Sequence, residues 1–592
     1  MGQMHFHVPD AAAGFFHASR WEDAYLCGME GVPWQTRNVF RPHESAGLGP
    51  VSSAADLPAA FRRAADSGGR LTLTRSVDNS AKLLITCPID RVGYRVLTTC
   101  SLRCVEASHS LVTELARGSC HRVRTQADIW QRGGLCLSDE FDELVTRGTE
   151  RFLDALQPRA AEQTGQSSPG RAFAICESEI QSTRAALESI SLLEQAAAEL
   201  SDLFAAQSMA FRRTREPRLS TMMAAGVLPS DQSISQSASS NAATSNAANP
   251  SRASGSHRTP ATQSSANLPG REAWSGLDDG ADTIFNEIAQ AFNAVAVRIS
   301  WGEIENASGT PDFTTANRIL DQCAKIGMRV IGGPVIDHRA GMLPDWLTLM
   351  DNHFDQLMSG MTKFVEATVT EFRGRVHLWN AASGLNVRGP LGLNDEQVMR
   401  FSIGVLQTIR RCDPHTPVVM SIDQPCGEYL AQHSDGISPI HFADALLRSG
   451  LGLAGIGLNF RFGYDKGNTH PRTALEFSQQ IDRWGTLGSP LLVQLSVPAA
   501  PGIDPAARIK TSPVSLAPEM NGQVDAWARQ QRDFARPLID TLLAKQIVHA
   551  VVWDGASDQL PHVMPHTGVI DSDGAPRPML DYLTGLREEL LM

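Results

Sequence analysis

No apolar run in the 592-residue chain approaches the ~20 residues that a membrane-spanning helix requires, so no membrane span is expected. Met1–Asp10 lacks the basic start and apolar stretch of a secretory signal. The expectation is a cytoplasmic protein, on condition that Met1 is the true start. Positive charge is in deficit: the formal net charge is −12, which does not favour nucleic acid or an anionic membrane as partner. The local basic group Arg117, Arg122 and Arg124 reads as a solvated helix face. None of the ten cysteines (Cys27, Cys87, Cys100, Cys104, Cys120, Cys136, Cys176, Cys323, Cys412 and Cys426) belongs to a C-x-x-C pair. Cys100 and Cys104 are spaced C-x3-C, but no second pair at zinc-finger spacing follows. Reduced, mostly buried thiols are expected rather than a disulfide framework. No metal or cofactor is expected.

What is present suffices for two to four domains, with 42% hydrophobic residues to build cores. Residues 1–108 read as a β-sandwich-like domain. Met4–Val8 alternates, and Leu71–Thr74, Lys82–Thr86 and Tyr94–Thr98 are further short strands punctuated by Gly, Asp and Asn. His5 and His7 share one strand face and can in principle hold a metal, but with no further ligand nearby they read as strand surface. From 109 to 225 the period becomes helical. Leu111, Leu115 and Val123 begin one helix. Ser138 or Asp139 caps a second, which carries Phe141, Leu144, Val145, Phe152 and Leu156. A third, about 172–213, carries the stripe Ile180, Leu187, Ile190, Leu193, Leu200, Leu203 and Phe204. These helices pack on the sandwich or on one another; a homo-oligomer contact is the alternative. Residues 226–270 read as a flexible linker, because Ser, Ala, Asn and Thr dominate and Ile234 is the one large apolar residue between Ser230 and Asn267.

Residues 271–592 alternate strand and helix. Strands are expected at Ala294–Ile299, Arg329–Ile331, Val376–Trp379, Val418–Ile422, Ile456–Phe460, Leu491–Leu495 and Ala550–Trp553. Helices are expected at Phe313–Ile326, Phe354–Phe372, Asp395–Arg411 and His441–Ser449. The pattern predicts an α/β fold, a closed (β/α)8 TIM barrel, with the missing eighth strand sought near Trp274–Ile284. A doubly wound open sheet is the runner-up, but no Gly-rich phosphate loop supports it.

The order of short motifs resembles glycoside hydrolase family 10, the retaining β-1,4-xylanases. Phe292-Asn293-Ala294-Val295, with Trp301 and Glu305, resembles the family's opening F-N-x-V. Gly327–Gly332 leads to His338 and Leu343-Pro344-Asp345-Trp346, as in G-M-x-V-x-G-H-x-L-x-W-H-x-Q-x-P-x-W. Trp379–Gly384 stands at W-D-x-x-N-E, Gly455–Asn459 at G-I-G-x-Q, and Pro490–Leu495 at T-E-L-D. Trp553–Asp558 resembles W-G-x-x-D, and Gly574, Pro576 and Pro578 resemble the D-x-x-G-x-P-x-P tail. Leu115-Ala116-Arg117-Gly118, with Arg124, is similar to a segment preceding the barrel in some divergent members.

The resemblance implies a barrel and a β-1,4-linked oligosaccharide as ligand. It also marks losses. Gly384 stands at the acid/base position and Gln494 at the nucleophile position. A retaining glycosidase needs two carboxyl groups roughly 5–5.5 Å apart. Loss of the general acid alone costs about 10²–10⁴ in rate, or roughly 3–5 kcal/mol. The sugar clamp E-N-x-x-K-W falls at Arg298-Ile299-Ser300-Trp301 and keeps only Trp301. Gly333 replaces a motif histidine, Asp337 a tryptophan, and Arg461 the histidine after G-I-G-x-Q. His338, Asn380, Asn459, Arg461 and Trp553 remain as candidate substrate contacts, with Trp553 as a sugar-stacking platform. Trp346 and Trp379 either contact sugar or only pack between strands and helices. Asp337, Asp423 and Asp554 fall near strand ends and are candidate replacement carboxylates, or else partners of Arg298 and Arg461. Glu519, in a long loop, is a further carboxylate that nothing positions.

Three functions are consistent with these residues. One is a degenerate barrel, a pseudoenzyme that binds a carbohydrate or a partner. Another is an active O-glycosyl hydrolase with relocated carboxylates. The third is a cytoplasmic scaffold assembled through the N-terminal helices.

Overall fold

The computed structural model describes residues 2–16, 21–28, 30–42, 68–156, 169–229, 278–349, 354–433, 436–465, 467–517 and 524–591. Ile234 and Glu519 lie outside them, as does nearly all of the segment read as a linker. Side chains are described for 177–229 and 284–347 within the ranges 169–229 and 278–349, and from 525 in the last range.

The N-terminal region forms two four-stranded sheets. One contains β1 (Gly2–Val8), β4 (Arg37–Pro42), β5 (Gly69–Arg75) and β8 (His109–Ser110) in the order β4-β5-β1-β8. The other contains β2 (Tyr25–Cys27), β3 (Pro33–Trp34), β6 (Lys82–Ile89) and β7 (Gly93–Thr98) in the order β3-β2-β6-β7. Alternation decides the inner face. Met4, Phe6 and Val8 of β1 join Leu71, Leu73, Leu83 and Ile85 in one core. His5 and His7 face the other way, His5 against Thr72 (3.1 Å) and His7 against Glu179 (2.9 Å).

Three helices follow: Leu111–Arg132, Asp139–Ala155 and Pro169–Arg215. The Ser138 hydroxyl caps the second by accepting from the Phe141 amide at 3.2 Å. Of the expected stripe on the third, Ile190, Leu193 and Leu200 are buried, whereas Ile180 is exposed. Gly118 lets the first helix lie on β7: a Cβ there would sit 1.9 Å from the Thr98 carbonyl oxygen. Arg122 corrects the sequence reading. It is partly buried, bridging Glu194 of the third helix and Glu476 of the barrel, the latter at 2.9 Å.

The barrel is closed and parallel. Its strands, in spatial order, are β9 (Met222–Val227), β10 (Ala294–Val297), β11 (Arg329–Gly332), β13 (Leu378–Ser383), β14 (Val418–Asp423), β15 (Gly455–Arg461), β16 (Leu491–Ser496) and β17 (Val548–Trp553). β17 pairs with β9, which closes the ring and removes the open-sheet alternative. A short β12 (Ile336–Asp337) pairs in parallel with the C-terminal end of β13. The eighth strand is therefore not near Trp274–Ile284, which runs into the helix Asp278–Ala291; it is β9, upstream of the Ser-rich segment. All seven strands read from sequence are present.

The two regions are joined along one side of the barrel. The β7 amides of Tyr94 and Val96 donate to the carbonyls of Leu516 (2.8 Å) and Pro471 (2.7 Å). The long helix Pro169–Arg215 packs on helices Ala474–Gly485 and Val524–Ala544. The nine cysteines whose side chains are described are all free, and Cys27, Cys87, Cys120, Cys323 and Cys426 are buried. Cys176 lies outside the described side chains. Among the described residues no helix is long and apolar enough to cross a membrane.

Candidate functional site

Inward-facing residues of the barrel change character along each strand. Low in the barrel they are apolar: Ala224, Ala294, Ala296, Ile331, Leu378, Val419, Leu492, Ala550 and Val552 form one cluster. Two to four residues further on, the same faces carry Arg298, Asn380, Asp423, Asn459, Arg461, Gln494, Ser496 and Asp554. These sit at the strand C-terminal ends, where barrels of this type build their sites.

The three sequence-predicted carboxylates all reach this mouth, and each meets an arginine. Asp554 is ion-paired to Arg298 and accepts from the Ser496 hydroxyl at 2.6 Å. Asp337 is held by Arg339 through Nε at 2.7 Å and Nη2, with Arg298 at 3.8 Å. Asp423 accepts from Arg461 Nη2 at 2.6 Å, and its backbone is clamped by both ends of the Asn386 amide at 2.8 and 2.9 Å. All six charged side chains are buried. Gly226 makes room for the backbone of Asp554: a Cβ there would come within 2.3 Å of the Asp554 carbonyl oxygen.

Burial opposes ionisation of Asp337, but Arg339 and then Arg298 outweigh it and hold its carboxyl below the usual carboxylate range. Burial likewise opposes ionisation of Asp554, and Arg298, Arg339 and the Ser496 hydroxyl together hold it low. His338 is shifted downward by burial, against the backbone of Gly384 and Val387.

Asn459 donates to the Ser383 hydroxyl at 2.8 Å and lies 3.5 Å from Asp423. Several hydrogen-bonding atoms at the mouth remain without a well-aligned partner: Asn380 Oδ1, Asn459 Oδ1, Gln494 Nε2, Arg461 Nη1 and both ring nitrogens of His338. Gly384 follows β13 at φ +78°, in the left-handed region. A side chain there would be strained, and its Cβ would lie 3.2 Å from Arg339 Cγ.

Trp553, the candidate stacking platform, lies on the outward face of β17. Val552 and Asp554 face the barrel interior, so Trp553 faces outward. It is buried in the layer beneath the helices, and its indole donates to the Thr567 carbonyl at 2.9 Å. Trp379 faces outward in the same way and donates to Asp413 at 3.0 Å. Trp301 stacks on Phe364 at 5.5 Å between ring centres, and Trp346 donates to the Glu305 carbonyl at 3.1 Å. Arg339 and Ser496 were missed in the sequence. Ser496 was legible by alternation from Leu492 and Gln494; Arg339 offered only its closeness to Asp337.

Asp504, Asp558 and His562 come close enough together to hold a metal ion. Protein donors already occupy them. His562 bridges the Leu560 carbonyl and Asp504, both at 2.8 Å, and Arg577 pairs with Asp558 at 2.7 Å.

Residues 274–383 match the model of glycosyl hydrolase family 10. No curated protein matches the chain. Among solved structures, xylanase 10B from Thermotoga maritima is similar at 15% identity, over 54% of this chain and 92% of that one, with a TM-score of 0.40. A family 10 endoxylanase from a sugarcane soil metagenome is similar at 10% identity, over 62% and 96%, with a TM-score of 0.41. The matching sequence segment runs through β10, β11 and β13 of the closed eight-stranded parallel barrel, and over that segment the chain resembles glycosyl hydrolase family 10.

Proposed function

We propose that this barrel has lost glycoside hydrolysis and acts as a binding module, with a β-1,4-linked oligosaccharide as its ligand. One observation carries the reading: every candidate carboxylate at the mouth is buried in an ion pair with arginine. A glycosidase needs one carboxyl group protonated near neutral pH to assist the leaving group, which requires a raised pKa. Asp337 and Asp554 are shifted the other way. By motif order Gly384 takes the acid/base position without a side chain, and Gln494 offers a neutral amide, a poor nucleophile. Relocated catalysis through Asp337, Asp423 or Asp554 would first have to break these pairs. Binding needs none of this. The spare donors and acceptors of Asn380, Asn459, Arg461 and Gln494 are the kind of groups that sugar hydroxyls satisfy.

The test is long incubation of the purified chain with xylotetraose and cellotetraose, read by mass spectrometry, with calorimetry on the same sugars. Intact sugars and saturable binding are expected, with Gln494→Ala weakening it. Shorter products that vanish in Asp423→Asn would overturn the loss of hydrolysis. Failure of both sugars to bind would overturn the carbohydrate ligand.

A second reading, assembly through the N-terminal helices, rests on apolar side chains they leave in solvent: Ile129, Leu153, Ile180 and Phe211. Light scattering across a dilution series tests it. A concentration-dependent dimer that Phe211→Ser weakens supports it, and a monomer at all concentrations rules it out.

A further inference from the structure

A cavity of about 390 Å³ lies away from the barrel mouth, and both regions of the chain build it. The sandwich supplies β2, β6 and β7 to its wall, the helix Leu111–Arg132 closes one side, and the barrel contributes Cys426 and segment 472–480. The volume suits a monosaccharide or a slightly larger molecule.

The wall is rich in charge and hydrogen-bonding groups. Lys82 and Arg122 come from the N-terminal region; Arg472, Glu476, Gln479 and Gln480 come from the barrel. Both arginines have fixed partners. Arg122 bridges Glu194 and Glu476, and Arg472 holds Glu428 at 3.0 Å and the Tyr25 hydroxyl at 3.2 Å. Each still keeps a nitrogen without a hydrogen-bond partner, Nε of Arg122 and Nη1 of Arg472. Oε2 of Glu476 and Oε1 of Gln480 are in the same state. Arg472 is 4% exposed and Glu476 8%, so bulk water does not reach these groups freely. Buried polar atoms without partners are rare in native proteins, and four around one cavity point to something that fills it.

Charge selects what that is. On the wall itself stand three cations, Lys82, Arg122 and Arg472, against one carboxylate, Glu476; Glu194 and Glu428 pair with the arginines from behind it. Lys82 makes no ion pair among the described residues. It is half-buried on the wall, paired across the sheet with Cys27, and Cys27 and Arg472 line the same cavity. Thr98 and Thr125 add hydroxyl groups to the wall beside the two glutamines.

We propose that this cavity binds a small sugar bearing one anionic group, either a sugar acid or a sugar phosphate. Lys82 and Nη1 of Arg472 receive the anion, while Glu476 and Gln480 receive hydroxyl groups. The site is separate from the barrel mouth and does not depend on what the mouth binds. Because its wall is shared, occupancy also ties the sandwich to the barrel.

Calorimetry and thermal unfolding of the full chain test this with four probes: D-glucuronate, glucose 6-phosphate, D-glucose and inorganic phosphate. One anionic sugar is expected to bind saturably, at least tenfold more tightly than glucose or phosphate, and to raise the unfolding temperature. Which of the two does so separates the sugar acid from the sugar phosphate. Lys82→Gln should weaken that binding at least tenfold, and Lys82→Arg should restore it, with the unliganded unfolding temperature unchanged in both. Absence of binding by both anionic sugars means the cavity holds water only and overturns the proposal. Equal binding by Lys82→Gln overturns the assigned anion contact. Phosphate binding as tight as glucose 6-phosphate overturns the sugar.

Discussion

The floor and the mouth of the barrel are built by the same strands, a few residues apart, and obey opposite rules. At the floor, Ala296, Val419, Leu492 and Val552 fill space with apolar side chains. At the mouth, Arg298, Asp423, Ser496 and Asp554 stand on those same strands in a chain of buried ion pairs. Burial of apolar surface favours the folded state directly. Burial of an ion pair carries a desolvation penalty that its own attraction offsets only partly. The floor therefore explains why the barrel forms. The mouth does not, and its charges need a reason beyond stability.

The largest effect should come from splitting a pair at the mouth. Asp554→Leu leaves Arg298 charged and buried, and chemical denaturation should show a loss of about 3–5 kcal/mol. Adding Arg298→Met to that variant should recover most of the loss. A double variant as unstable as the single one would mean that the mouth supports the fold after all. At the floor, Leu492→Ala should cost about 2–5 kcal/mol through the cavity it opens, with no partner able to rescue it.

Acid separates the regions next. The native carboxyls of Asp337 and Asp554 ionise below their unfolded value of about 4. Their stabilisation is complete above that value and is lost as pH falls through the lower native values. Unfolding temperatures measured from pH 6 down to pH 2 should fall less steeply for the Arg298→Met, Asp554→Leu double variant. An unchanged slope would assign acid sensitivity elsewhere. The smallest effect is expected from Trp553→Phe, which removes one hydrogen bond to Thr567 and should cost about 0.5–1.5 kcal/mol. Because the indole faces away from the interior, oligosaccharide binding should not change, and a loss of binding would reopen its role as a platform.

Seven barrel strands were legible because parallel strands, covered on both faces, read as continuous apolar runs. β9 was not, since Met222-Met223-Ala224-Ala225-Gly226-Val227 is dominated by small residues, and it precedes rather than follows the low-complexity segment. Pro33–Trp34 and His109–Ser110 are too short to leave a periodic trace. At the site, the residue types were legible and their orientation partly so. Alternation places Asp554 and Trp553 on opposite faces, so only one of the two can reach a ligand inside the barrel. The Asp337–Arg339 pair was hidden because Asp337 ends the two-residue strand β12 and Arg339 lies two residues on, in an irregular segment. Arg122 was misread because its helix is covered by the barrel, a contact that no local pattern announces.

The position of β9 has a consequence for how the chain can be divided. A fragment beginning near residue 271 looks like a whole barrel in sequence, yet it lacks the stave between β10 and β17. Both neighbours would become open edges with unpaired backbone groups, the condition that invites aggregation. Conversely, a nick anywhere between 230 and 277 need not release the two pieces, because β9 stays hydrogen-bonded on both sides. Fragments 1–229 and 278–592 are therefore natural candidates for reassembly when co-expressed, whereas the C-terminal piece made alone should be insoluble.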